Sequence, residues 1–138
     1  MITLLTGTRG SGKTKKLIDM INAAYQSSNG HVICVEKKES LRYEIKPSVR
    51  LVSTDEYCVS GFDAFYGLLA GICAGDHDIT DILVDATLRI GSRDYDELAE
   101  FLTKVNNLSK NADTKFTFTV STETENIPAS VLEFCELA

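Results

Sequence analysis

Two rhythms of apolar residues alternate along this chain: short unbroken runs and stripes at helical spacing. Ile2-Thr3-Leu4-Leu5-Thr6 is a short apolar run stopped by Gly7, which predicts a buried strand. Gly7 to Gly12 is a glycine-rich loop. From Lys13 to about Ser28 the pattern becomes helical, with Leu17, Ile18, Ile21, Ala24 and Tyr25 on one face. Lys15, Lys16, Asp19 and Asn22 take the other face. Asn29-Gly30 ends this helix, Gly30 being suited to the left-handed position after it.

His31-Val32-Ile33-Cys34-Val35-Glu36 predicts a second buried strand. Lys37 to Pro47 is polar and charged and reads as a loop, although the alternation Leu41-Arg42-Tyr43-Glu44-Ile45 also suits a short strand. Val49 to Ser53 is a third strand. A helix follows from about Gly61 to Gly75, carrying Phe62, Phe65, Tyr66, Leu69, Ile72 and Cys73. Ile82-Leu83-Val84-Asp85 is a fourth strand with a carboxylate at its C-terminal end. Asp94 caps the next helix with Glu97 as its capping-box partner. Leu98, Phe101, Leu102, Val105 and Leu108 form that helix's core face. Lys115 to Val120 is a fifth strand, and Pro128 opens a last helix containing Val131, Leu132 and Cys135. Strands alternating with helices predict an α/β fold with a mainly parallel sheet.

Length and composition narrow this further. At 138 residues there is room for one domain, 1–138, and 43% hydrophobic residues suffice for a core. Disordered, collagen-like and coiled-coil classes drop out. No apolar run approaches the roughly 18–20 residues of a membrane span, so no membrane insertion is expected. The start Met1–Leu5 has no basic stretch and no long apolar core, so no secretory signal is expected. The four cysteines are more than ten residues apart, without CxxC spacing. They read as reduced, mostly buried small hydrophobes of a cytoplasmic protein.

A net charge of −6 makes a nucleic-acid partner unlikely, but the charge is unevenly spread. Residues 1–50 hold nine Lys+Arg against four Asp+Glu, whereas residues 51–138 hold five against sixteen. Lys37, Lys38, Arg42, Lys46 and Arg50 cluster between the second and third strands and mark a surface for an acidic partner. Gly67, Gly71 and Gly75 recur every four residues on one helix. Tight packing on the protein's own sheet and a self-association surface both account for them.

The chemistry sits in Gly7-Thr8-Arg9-Gly10-Ser11-Gly12-Lys13-Thr14, which matches G-x-x-x-x-G-K-[ST] at every fixed position. Phosphate oxygens need converging donors. Glycines at 7, 10 and 12 let backbone N–H groups approach closely. The helix opening at Lys13 adds its unpaired N–H groups and its positive dipole end. Lys13 suits the β- and γ-phosphates, and the Thr14 hydroxyl suits Mg²⁺. Asp85, closing an apolar strand, suits the second magnesium-holding carboxylate.

On these residues the chain resembles the P-loop NTPase superfamily. The order of elements is similar to the core shared by RecA-like ATPases and thymidine kinases. The resemblance implies a three-layer α/β/α fold with a five-stranded sheet of order 1-5-4-2-3, an ATP ligand and Mg²⁺. It implies that Gly7, Thr8, Arg9, Gly10, Ser11, Gly12, Lys13 and Thr14 bind nucleotide, with Thr14 and Asp85 on the metal. Ala86 stands where many RecA-like ATPases carry a glutamate that activates water. By the position it holds in RecA-type recombinases, Glu36 is the substitute, acting with Lys13 as the catalytic pair; the alternative is a glutamate paired with Lys37 or Lys38. Ser121 and Thr122 stand where related proteins sense the γ-phosphate.

Arg89 and Arg93 lie in the loop after Asp85, on the ligand-binding edge of the sheet. They are read as phosphate contacts or as fingers into a neighbouring subunit, or else as partners of Asp94 or Asp96. No N-K-x-D guanine-reading motif is present, which favours ATP. The expected activity is a weak or partner-stimulated ATPase. A nucleotide-bound regulatory switch and a small-molecule kinase of thymidine-kinase type are the alternatives. A protein partner or self-association is compatible with each.

Overall fold

A computed structural model describes all residues, 1–138. The chain runs β1 (Ile2–Thr6), α1 (Lys13–Ser27), β2 (His31–Glu36), β3 (Arg50–Ser53), α2 (Phe62–Gly75) and β4 (Ile79–Val84). It continues through α3 (Thr87–Ile90), α4 (Tyr95–Ala112), β5 (Lys115–Val120), a 3₁₀ turn (Thr124–Asn126), α5 (Ala129–Leu132) and β6 (Cys135–Leu137). No helix is long and apolar enough to cross a membrane.

All strand pairings are parallel, and the order is β3-β2-β4-β5-β1-β6. The sheet therefore has six strands, not the five expected, and its full order differs accordingly. The extra strand comes from residues assigned by pattern to the last helix. That helix stops at Leu132, and Cys135–Leu137 extends alongside β1 instead, pairing Ile2 with Cys135 and Leu4 with Leu137. Without β6 the outer edge of β1 would carry unpaired N–H and C=O groups. A three-residue strand is too short for periodicity to reveal it.

Alternate residues of each strand enter opposite cores, as the pleat requires. On one face Leu5, Val32, Cys34 and Leu83 pack on Leu17 and Ile21 of α1. On the other, Ile33, Val84, Phe116 and Phe118 pack with Phe65 and Leu69 of α2 and Leu98 and Phe101 of α4. Phe101 anchors this second layer. Its ring lies 5.0 Å from both Phe62 and Phe65 and 5.7 Å, edge-on, from Phe118.

Several local expectations change. Residues 37–47 form the expected loop and not the alternative short strand, but its turns plug Leu41 and Ile45, with Val49 beyond them, into the α1-side core, in the place of a crossover helix. Gly30 does not take a left-handed φ; its role is close approach, because a Cβ there would strike the carbonyl oxygen of Asp78. Gly67, Gly71 and Gly75 face outward with open space where each Cβ would stand, so packing on the sheet does not explain them. Only half of the capping box forms. Asp94 accepts from the N–H groups of Asp96 and Glu97, while the Glu97 carboxylate accepts from Ser92 Oγ. All four cysteines are free, three of them buried and Cys58 exposed. Burial pushes the thiol of Cys34 well up and that of Cys135 up to about 12, so neither is a nucleophile at neutral pH.

Candidate functional site

Parallel strands deliver their C-terminal ends to one edge, and the loops leaving them surround a cleft of about 1020 Å³. The loop after β1 is shaped by Gly7 (φ 146°), Gly10 (φ 86°) and Gly12 (φ 87°), values that side chains rarely tolerate. A Cβ on Gly7 would run into Ser11 Oγ. Gly12 occupies the N-cap of α1 with no side chain bonded across it, which leaves the first-turn N–H groups uncapped by side chains. The loop is tied to the segment after β5 by the Gly7 N–H, which donates to the Thr122 carbonyl at 2.9 Å. Lys13 folds over the loop, its Nζ donating to the Thr8 carbonyl at 2.9 Å. Desolvation lowers the pKa of its ammonium, and the charge of Asp85 opposes that fall.

Asp85 follows β4 immediately, its N–H donating to the Val35 carbonyl. The Thr119 hydroxyl donates to Asp85 Oδ1 at 2.7 Å and accepts from the Ala86 N–H at 2.8 Å. One side chain thus fixes both the carboxylate and the turn behind it. Ala86 itself is left-handed at φ 60°, a conformation costing roughly 1–2 kcal/mol for a residue with a Cβ. That turn redirects the chain into α3 and brings Arg89 and Arg93 to the cleft.

Of the residues singled out from sequence, the cleft gathers Thr8, Arg9, Gly10, Gly12, Lys13, Thr14, Asp85 and Arg89, together with Arg93, Ser121 and Thr122. Gly7 and Ser11 shape the loop without lining the cleft. Arg89 and Arg93 form no ion pair, and the Asp94 carboxylate is engaged at the α4 cap. Thr122 lines the cleft and also ties neighbouring elements together. Its hydroxyl is shared by Tyr95 Oη at 2.7 Å and Asn126 Nδ2 at 3.0 Å, joining the segment after β5 to α4 and the 3₁₀ turn.

Glu36 is not brought into the cleft. It is 3% exposed, and its carboxylate accepts from Ser40 N–H (3.0 Å), Ser40 Oγ (2.7 Å) and Leu41 N–H (3.0 Å). Nor does it pair with Lys37, which bridges to Asp55. Both of its oxygens are committed to the turn that begins the 37–49 segment.

Comparison with protein-family models and with curated proteins returns no match.

Sequence reasoning missed Thr119, Tyr95 and Asn126. For Thr119 a signal existed: threonine at 117 and 119 interrupts a strand otherwise buried on both faces, and Thr119 is 1% exposed. A polar group placed there must have a partner. Thr119→Val keeps the shape but removes both hydrogen bonds, orphaning the Ala86 N–H. We expect a loss of about 1–3 kcal/mol in urea unfolding, whereas a loss below about 0.5 kcal/mol is ordinary surface behaviour and speaks against the bridge.

Proposed function

We propose that this chain binds ATP with Mg²⁺ in the cleft and that its own hydrolytic turnover is weak or awaits stimulation by a partner. The observation that carries this reading is the glycine-shaped loop at the uncapped start of α1, holding Lys13 within electrostatic reach of Asp85. Convergent N–H donors and an ammonium suit the polyphosphate, which no neutral ligand would require. The Thr14 hydroxyl and Asp85 would hold the metal, whose chemistry when bound is to neutralise charge on the phosphate oxygens. No three His, Cys, Asp or Glu side chains converge anywhere, so a magnesium ion here would depend on phosphate and water for its remaining ligands. The oriented carboxylate of Asp85, held by Thr119 at one oxygen, fits that demand. Arg89 and Arg93, unpaired at the cleft wall, suit further phosphate contacts.

The fold supports the same reading. The parallel sheet, flanked by helices on both faces, resembles the P-loop NTPase arrangement, with the phosphate loop between β1 and α1. The low turnover follows from what surrounds the phosphates. Ala86 has no carboxylate, and Glu36 is committed elsewhere. That commitment favours a second reading, in which the chain is a nucleotide-bound switch without catalysis.

Calorimetric titration with a non-hydrolysable ATP analogue tests the first claim. Binding should be tighter with magnesium than with EDTA, and Asp85→Asn should shrink that difference by about tenfold, the worth of roughly 1.4 kcal/mol. Absence of binding, or binding indifferent to both magnesium and Asp85, rejects the assignment. ATP left intact after long incubation with magnesium selects the switch; steady phosphate release selects the ATPase.

A further inference from the structure

We propose that Tyr95 is a positioning residue for the glycine-rich loop: its phenol, acting through Thr122, holds the Gly7 end of the loop in place. That the loop then grips a polyphosphate rests on the nucleotide reading of the cleft. The hold itself is made of contacts within the chain. Tyr95 Oη lies 2.7 Å from Thr122 Oγ1, and the Thr122 carbonyl accepts from the Gly7 N–H at 2.9 Å. One threonine thus receives α4 on its side chain and the loop on its backbone. Residues 7–12 have no other such tie. The remaining hydrogen bonds there run from Ser11 N–H and Lys13 Nζ to the Thr8 carbonyl, from Lys13 Nζ to Ser11 Oγ, and from Lys16 N–H to the Gly12 carbonyl. All of these stay within the loop and the first turn of α1. Gly7, at φ 146°, is where β1 gives way to the loop, so a shift there displaces the N–H groups beyond it.

Both ends of the link stand on fixed ground. Tyr95 is the first residue of α4 and half-buried. Behind it Asp94 caps the helix, and Ser92 Oγ donates to the Glu97 carboxylate at 2.6 Å. Gly91 lies so close under Phe62 that a Cβ there would strike the ring. At the other end, Thr122 is 6% exposed, and Thr6 Oγ1 lies 2.7 Å from Thr124 Oγ1, fastening the next residues beside β1. The protons also balance. A threonine hydroxyl offers one proton and two lone pairs. Asn126 Nδ2 donates to one lone pair at 3.0 Å, which leaves a proton and a lone pair to meet the phenol. The Tyr95 ring lines the cleft as well, so stacking on a base is the competing use of this side chain. Stacking needs the ring and not the hydroxyl, which separates the two roles.

The test uses Tyr95→Phe, which keeps the ring, together with Thr122→Val and the hydroxyl-retaining Thr122→Ser. Amide hydrogen exchange is read by NMR in the ligand-free protein. The β2 amides, in a strand paired on both sides, report global stability. Beyond any change they show, the Gly7 N–H should exchange about three- to tenfold faster in Tyr95→Phe and in Thr122→Val. Thr122→Ser should stay at the native rate. The double variant Tyr95→Phe/Thr122→Val should be no faster than Thr122→Val, because both changes cut one link. Inorganic tripolyphosphate with magnesium carries no base, and its binding should weaken about three- to tenfold in the same two single variants. Gly7 exchange that rises no more than that of β2 in Tyr95→Phe overturns the proposal. So does tripolyphosphate bound equally by the native chain and Tyr95→Phe, including the case in which only an ATP analogue is weakened. Faster Gly7 exchange in a chain whose native form binds no tripolyphosphate upholds the hold of Tyr95 on the loop and rejects the polyphosphate ligand.

Discussion

Lys13→Ala should weaken ATP binding by about 10–100-fold, the largest functional effect of any single substitution in the cleft. The figure follows from removing one charge-assisted contact worth roughly 1.5–3 kcal/mol. The lysine should matter this much because its ammonium is partly desolvated, as its lowered pKa reflects, so less hydration is left to lose on meeting phosphate. Its present partners, the Thr8 carbonyl and Ser11 Oγ, lie in an exposed loop, so the chain should melt as before. Lys13→Arg keeps the charge but brings a wider planar fork into a loop already shaped by Gly7 and Ser11, and should recover only part of the affinity. Titration of a fluorescent ATP analogue reads all three proteins on one scale. An affinity equal in native and alanine forms removes the nucleotide assignment, whatever the loop resembles.

The legible parts of this molecule are those in which one physical demand controls a stretch of sequence. Short apolar runs gave β1, β2 and the end of β4 because strands buried on both faces admit little else. The glycine-rich loop after β1 was readable because its geometry needs glycine at defined positions, and Gly7, Gly10 and Gly12 all take positive φ. Illegible were features decided by two distant segments at once. β6 exists because β1 needs its edge covered, which nothing in residues 135–137 announces. The segment 37–49 reads as an exposed loop by composition, yet Leu41, Ile45 and Val49 supply a helix-like stripe to the core. In the cleft, Asp85 was legible as the end of an apolar run, while Thr119, which aims it, comes from a strand 34 residues away. Glu36 shows the limit most sharply. A carboxylate ending the strand next to a glycine-rich loop has the address expected of a water activator, and only its three hydrogen bonds to Ser40 and Leu41 show where it is engaged.

That engagement predicts the second large effect. Glu36→Ala should cost about 2–4 kcal/mol of folding stability, since the buried Leu41 N–H loses its acceptor, a loss worth roughly 1–3 kcal/mol, and the half-buried bonds of the Ser40 N–H and hydroxyl are lost at smaller cost. Against a total of about 5–15 kcal/mol for a domain, this is a major loss, visible as an earlier urea midpoint. Glu36→Gln keeps one acceptor oxygen and should lose less. If the carboxylate is purely a clamp, ATP turnover per folded molecule stays at the native level in both variants. Turnover abolished by Glu36→Gln with stability intact would return the residue to the chemistry. A turnover-neutral variant that loses stability would mark the end of β2 as the anchor of the 37–49 segment, and leave any chemistry of the cleft to Lys13 and its neighbours.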